Sequence, residues 1–115
     1  MKQNTLTKEK RLISNRQFKD VLVSGHCFHD RLLTVYMAEN KCGHVRLGVS
    51  VGKTHGNAVK RNRLKRFIRE VFRQHQEQIP NNYDYLIMIK KGVEQTTFEQ
   101  IKSSFLTLVV SAKKL

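Results

Sequence analysis

The densest chemistry in the chain lies between Gly56 and Arg73. From Lys60 to Arg73 seven side chains are Lys or Arg and only Glu70 is acidic. Guanidinium groups form forked, charge-assisted hydrogen bonds to phosphate oxygens, so this stretch is suited to a polyanion. The whole chain agrees: 22 Lys and Arg against 9 Asp and Glu leave a net charge of +13, with a pI near 10.2. A generally solvated surface would mix the two signs. Residues 41–75 instead hold ten bases and one acid, the footprint of a nucleic-acid-binding face, read here as RNA-binding.

Other constellations fail on spacing. Gly48-Val49-Ser50-Val51-Gly52-Lys53-Thr54 has three residues between its glycines where a phosphate-wrapping loop needs four, and its first Gly falls inside a strand pattern. Cys27 with His29 and Cys42 with His44 have the types of four zinc ligands. If the chain turns back near residues 40–43, however, residue 29 lies opposite the early fifties and the pairs stay far apart. The nine acids are scattered singly, with no carboxylate pair beside a histidine, so neither two-metal nor acid–base hydrolysis by the chain is expected. No catalytic residue, metal site or organic cofactor is assigned.

Composition fits one domain, residues 1–115, large enough to bury a core without staples. Two cysteines fit a reducing cytoplasm. Met1-Lys2-Gln3-Asn4-Thr5 is followed by no apolar run, and no segment approaches the roughly 18–20 apolar residues of a membrane span, so neither a leader nor a membrane is expected.

The elements that must position the basic stretch follow from periodicity. Residues 1 to about 12 are expected to be a flexible basic arm. Ser14 with Gln17 forms a capping box opening a helix with Phe18, Val21 and Leu22 on one face, ended by Gly25. Residues 31–38 are β-rich. After Asn40-Lys41-Cys42-Gly43, a strand over 45–51 alternates strictly, with Val45, Leu47, Val49 and Val51 on one face and Arg46, Gly48 and Ser50 on the other. The two strands are expected to pair as a hairpin. From Asn57, a predicted N-cap, to about Gln76, Leu64, Phe67, Ile68, Val71 and Phe72 form a helical apolar stripe. Asn62, Arg66, Arg69 and Arg73 cluster opposite it, and Arg61 and Arg63 flank it. Pro80-Asn81-Asn82 is a turn. Residues 85–89, apolar on both faces, make a central strand, and Thr96 with Glu99 forms a box opening a last helix with Phe98, Ile101, Phe105, Leu108 and Ala112 inward. The order is α-β-β-α-β-α, with room for an extra short strand around His26–His29: an α/β (α+β) sandwich with helices against one mixed sheet. Phe18 and Tyr36 suit core packing and base stacking equally. Small Gly48 and Ser50 favour a groove beside them.

These residues together closely resemble the protein subunit of bacterial ribonuclease P. Arg61-Asn62-Arg63 within Gly56–Arg66 matches that family's signature on a basic helix, with Arg46–Val51 upstream and Asp84–Lys90 downstream. The similarity covers roughly residues 8–110 in order. The resemblance implies an α-β-β-β-α-β-α fold on one mixed four-stranded sheet, with a left-handed βαβ crossover and a fold shared with a ribosomal protein domain. It also implies a catalytic RNA that uses Mg²⁺ to remove the 5′ leader of precursor tRNA, with the protein bound one-to-one to that RNA. By position, Lys60, Arg61, Asn62, Arg63, Lys65, Arg66, Arg69 and Arg73 would face the catalytic RNA. Phe18, Leu22, Tyr36, Arg46, Ser50, Lys53 and Lys90 would line or edge a leader cleft. The family often has an aromatic where this chain has Leu22, and a Lys where it has Thr54.

Overall fold

The structure, a computed structural model, describes residues 15–41, 43–52, 56–80, 82–90 and 96–113. The expected basic arm, the Ser14 cap, Cys42, Lys53, Thr54, Asn81 and the side chain of Ala112 lie outside that set. Elements run α1 (Asn15–Ser24), β1 (His26–His29), β2 (Leu33–Glu39), β3 (Arg46–Ser50), α2 (Ala58–His75), β4 (Tyr83–Ile89) and α3 (Phe98–Lys113), with a 3₁₀ turn at Gln76–Gln78. The expected α-β-β-β-α-β-α order and mixed four-stranded sheet are both present.

The pairing differs from expectation at one place. The sheet order is β1-β2-β4-β3, with β4 antiparallel to β2 and parallel to β3. β2 and β3 are therefore not a hairpin, because β4 lies between them. The alternation in β3 correctly separates its two faces, but a strand's own pattern does not name its neighbour. β4 decides the matter: its residues are apolar toward both sides, so it takes a central position. α2 is then the crossover of a β3-α2-β4 unit, long enough to return the chain parallel.

Helices cover both faces. Leu64, Ile68, Val71 and Phe72 of α2 and Ile101, Phe105, Leu108 and Val109 of α3 pack with Leu33, Val35, Met37, Leu47, Tyr85, Ile87 and Ile89 in the main core. Rings of Phe72, Tyr85 and Phe105 meet edge-to-face at 5.4 and 6.1 Å. α1 lies on the opposite face, where Val21 packs with Ala38 and Leu86, flanked by half-buried Phe18, Tyr36 and Met88. Gly25, which ends α1, donates its N–H to Val21 O at 2.8 Å. A Cβ there would stand 2.5 Å from that oxygen, so the α1–β1 corner admits only glycine.

The N-terminus of α3 is capped one residue later than the spacing suggested. Gln100 N–H donates to Thr97 Oγ1 at 3.2 Å, and Thr97 N–H donates to Gln100 Oε1 at 3.0 Å. This reciprocal pair is a capping box with Thr97, not Thr96, as the cap and Gln100, not Glu99, as its partner. Thr97→Ala is expected to destabilise the fold by about 1 kcal/mol, whereas Glu99→Ala should be near neutral, as read by urea unfolding. Equal losses from the two would put the box elsewhere.

Candidate nucleic-acid interface

The basic surface is built on α2. Asn57 caps it by accepting Lys60 N–H on Oδ1 at 3.0 Å, and Gly56 enters the cap at φ +111°, a conformation glycine adopts freely. Burial of Leu64, Ile68, Val71, Phe72 and His75 fixes the rotation of the helix. Asn62, Arg66 and Arg69 are consequently exposed, as are Lys60 and Arg63, while Arg61, Lys65 and Arg73 are half-buried. Arg63 lies over the Phe67 ring, its guanidinium carbon 5.4 Å from the centroid, and Phe67 meets Phe98 of α3 edge-on at 6.0 Å. Arg61 Nε is buried without a partner among the described residues.

The charge placement works against the helix that carries it. A helix N-terminus is the positive end of the backbone dipole and favours acids. The first turn of α2 contains none, and Lys60, Arg61 and Arg63 crowd it with like charge. An anion held by those bases and by the free N–H groups of the first turn removes that conflict.

The second group of predicted residues, apart from Lys53, which lies outside the described residues, occupies the opposite face of the sheet. The strand register arranges that face in three rows. Ala38, Asp84 and Arg46 form the first, and Cys27, Tyr36, Leu86 and Gly48 the second. His29, Thr34, Met88 and Ser50 form the third. α1 packs on β2 and β4, so the β3 column of Arg46, Gly48 and Ser50 runs alongside it. Phe18 and Tyr36 share one cluster under α1 and are half-buried, whereas Leu22 on α1 is 43% exposed. Tyr36 stands opposite Cys27. The electrostatic influence of Cys27, then burial and the hydrogen bond between the two, push the Tyr36 hydroxyl above its usual range. It stays protonated at neutral pH.

Arg46 and Lys90 mark the two ends of this face, and both are engaged. Arg46 grips Asp84 with Nε to Oδ1 and Nη2 to Oδ2, each 2.7 Å, and Asn40 Nδ2 donates to the same Oδ1 at 2.7 Å. A cavity of about 390 Å³ opens beside this network, between Asp20, Val21 and Ser24 of α1 and the ends of β2 and β3. At the other end Lys90 Nζ donates to His29 Nδ1 at 2.9 Å. Asp30 secures the adjoining β1–β2 corner by accepting the N–H groups of Leu32 and Leu33 and the Ser104 hydroxyl of α3. Burial alone would raise its pKa. The Leu33 N–H, Ser104, the Leu32 N–H and nearby Lys90 outweigh that and hold it below the usual carboxylate range.

Sequence reasoning passed over Asn40, Asp84, His29 and Glu70, which orient these bases, and Asp30, which braces the corner beside Lys90. Asp84 was visible as the acid before Tyr85. Only the parallel β3–β4 register, with Arg46 opposite Asp84, reveals its role.

The sequence profile of the family Ribonuclease P matches residues 6–113. The chain is 34% identical over 106 residues to the ribonuclease P protein component of Clostridium botulinum, covering 91% of this chain and 96% of that one. It is 36% identical over 100 residues to that of Bacillus pumilus, covering 86% and 84%. Among solved structures, the Staphylococcus aureus RNase P protein superposes with a TM-score of 0.83 at 36% identity, covering 90% of this chain and 95% of that one. The Thermotoga maritima RNase P protein gives 0.80 at 28% identity, covering 86% and 94%.

Two outcomes test the engaged groups. Arg46→Ala should cost about 2–3 kcal/mol, less than for a fully buried pair because the Arg46 side chain is 21% exposed and solvent screens it. The double change Arg46→Ala with Asp84→Ala should be less destabilising than the sum of the two single changes, and strict additivity in urea unfolding would deny the coupling. Asp30 has a depressed pKa, so its contribution is complete above the unfolded value, about 4, and is lost as pH falls through the folded one. Wild type and Asp30→Asn should therefore converge in stability on acidification, and a constant gap from neutral to strongly acidic pH would contradict this.

Proposed function

The chain belongs to the ribonuclease P protein family, and from that premise we propose that it is the protein subunit that binds the catalytic RNA through α2 and the 5′ leader of precursor tRNA along the α1–β3 face. The observation that carries the proposal is the row of exposed Asn62, Arg66 and Arg69 on a helix whose first turn is loaded with bases against its own dipole. Structured RNA offers phosphates at fixed positions, and a rigid helix offers guanidinium forks at matching spacing. A leader of unspecified sequence requires contacts that tolerate any base: backbone charge and stacking. Half-buried Phe18, Tyr36 and Ser50, the missing side chain at buried Gly48, and Lys90 offer those types of contact, and Lys53, outside the described residues, would add charge by sequence position.

Hydrolysis is assigned to the RNA, with Mg²⁺ supplying the charge that stabilises attack on the phosphodiester. The protein's own carboxylates fit poorly as metal ligands. Asp30, Glu70 and Asp84 each accept from internal donors, and no group of three or more His, Cys, Asp or Glu that could hold an ion occurs among the described residues. The protein's contribution is to neutralise phosphates near the cleavage site and to hold the leader, which raises substrate affinity and lowers the Mg²⁺ needed. A complex of one protein and one RNA, acting in the cytoplasm, is the simplest assembly with this division of labour.

The test is precursor-tRNA cleavage at low Mg²⁺ by a bacterial ribonuclease P RNA alone, by the protein alone and by the mixture. The mixture alone should cut efficiently, at the mature 5′ end. Tyr36→Ala should weaken precursor binding by roughly 5- to 100-fold, the loss of one stacked base, and leave mature tRNA binding unchanged. Arg66→Ala should weaken assembly with the catalytic RNA instead. Unchanged precursor affinity in Tyr36→Ala would remove the leader from this face, and binding without stimulated cleavage would favour a ribosomal-type role.

A further inference from the structure

Glu70 interrupts the outer face of α2, the one acid among ten bases from residue 41 to residue 75. Its carboxylate is fully engaged. Oε1 accepts Arg73 Nε at 2.9 Å, and Oε2 accepts both Arg73 Nη2 and, at 2.9 Å, Gln74 Nε2. The Arg73 hydrogen bond is also the main reason that Glu70 titrates below the usual carboxylate range. Both side chains remain about two-fifths exposed, 39% and 40%, on the solvent side of the helix that carries Arg66 and Arg69.

The electrical consequence is a boundary. Lys60 to Arg69 contains six bases and no acid, whereas Glu70 and Arg73 cancel just beyond it. As an i,i+3 partner of Arg73 and i,i+4 partner of Gln74, Glu70 contributes only weakly to the stability of the helix. What Glu70 adds is a negative charge, fixed by three donors, directly after the basic row. A phosphate reaching for Arg73 meets that carboxylate, and like charges at a contact penalise the wrong docking mode.

Resting on the reading of α2 as the contact for the catalytic RNA, we propose that Glu70 is a specificity-determining residue. It sets the C-terminal limit of the RNA footprint on α2 by withholding Arg73 from phosphate and repelling backbones that extend along the last turn. Structured RNAs that could lie along the whole helix are thereby disfavoured relative to one shaped to its first three turns. Arg73, counted with the other bases in the sequence, is then not a phosphate contact in the native protein.

The measurement is the salt dependence of binding, with a bacterial ribonuclease P RNA and mature tRNA as separate probes. The proteins are wild type, Glu70→Gln, Arg73→Ala and the double variant, with thermal unfolding confirming that each folds. Each phosphate newly neutralised steepens the slope of log affinity against log salt by roughly 0.7–0.9. Glu70→Gln should show about that steepening and gain several-fold in affinity for mature tRNA, more than for the catalytic RNA. Arg73→Ala in the wild-type background should leave the slope unchanged, and added to Glu70→Gln it should reverse the steepening. A flatter slope in Arg73→Ala alone, or an unchanged slope in Glu70→Gln, overturns the proposal. Should wild type bind the catalytic RNA no better than mature tRNA, the reading of α2 fails instead, and the slopes measured on tRNA still decide what Glu70 does.

Discussion

All seven residues of β4 are buried or half-buried, and they divide between two environments. Tyr85, Ile87 and Ile89 enter the core under α2 and α3, while Leu86 and Met88 face α1. Such a strand must have neighbours on both edges and helices on both faces, or backbone and apolar groups are left unsatisfied. That requirement places β3 parallel beside it and makes α2 the crossover. The apolar stripe of α2 is then committed to the core, which leaves its basic side facing outward. The basic surface of α2 is in this sense the reverse side of the hydrophobic core, and its position follows from β4.

Much of this was legible in the residues, and the rest was not for physical reasons. The 3.6-residue stripe of α2 identified both its buried and its exposed sides, and the two-sided apolarity of residues 85–89 announced a central strand. The alternation over 45–51 sorted Val45, Leu47 and Val51 from Arg46 and Gly48. Strand neighbours were not readable, because a period of two says which face a residue takes and nothing about the edge it pairs along. The turn-like residues 40–43 suggested a hairpin, yet the stronger demand of β4 for two partners overrode that local signal. The cap of α3 was misplaced by one residue because Thr96 and Thr97, and Glu99 and Gln100, satisfy the same spacing rule. Only hydrogen-bond geometry separates them.

The two surfaces lie on opposite sides of the sheet, but they approach one another at one end. β3 ends at Ser50, α2 begins at Ala58, and β4 ends at Ile89 next to Lys90. Because β3 and β4 are parallel, both finish at the same end of the sheet, with the β1–β2 corner of His29 and Asp30 beside them, and the chain enters α2 from that end of β3. Asp30, held by Leu32, Leu33 and Ser104, ties that corner to α3, so the junction is braced from the core side. A single nucleic-acid assembly can therefore touch both faces by wrapping one end of the sheet.

Counting basic residues overstates the charge that reaches such an assembly. Arg46 is matched by Asp84, and Arg73 by Glu70, in forked contacts that use up the geometry a phosphate would need. Lys90 is directed at His29, and Arg63 rests on Phe67. Arg66 and Arg69 are exposed, and neither belongs to an ion pair among the described residues. In a fold this basic, two of the acids do more than balance charge: Asp84 and Glu70 each hold one arginine in a forked contact, so the bases presented to solvent are fewer than the sequence contains.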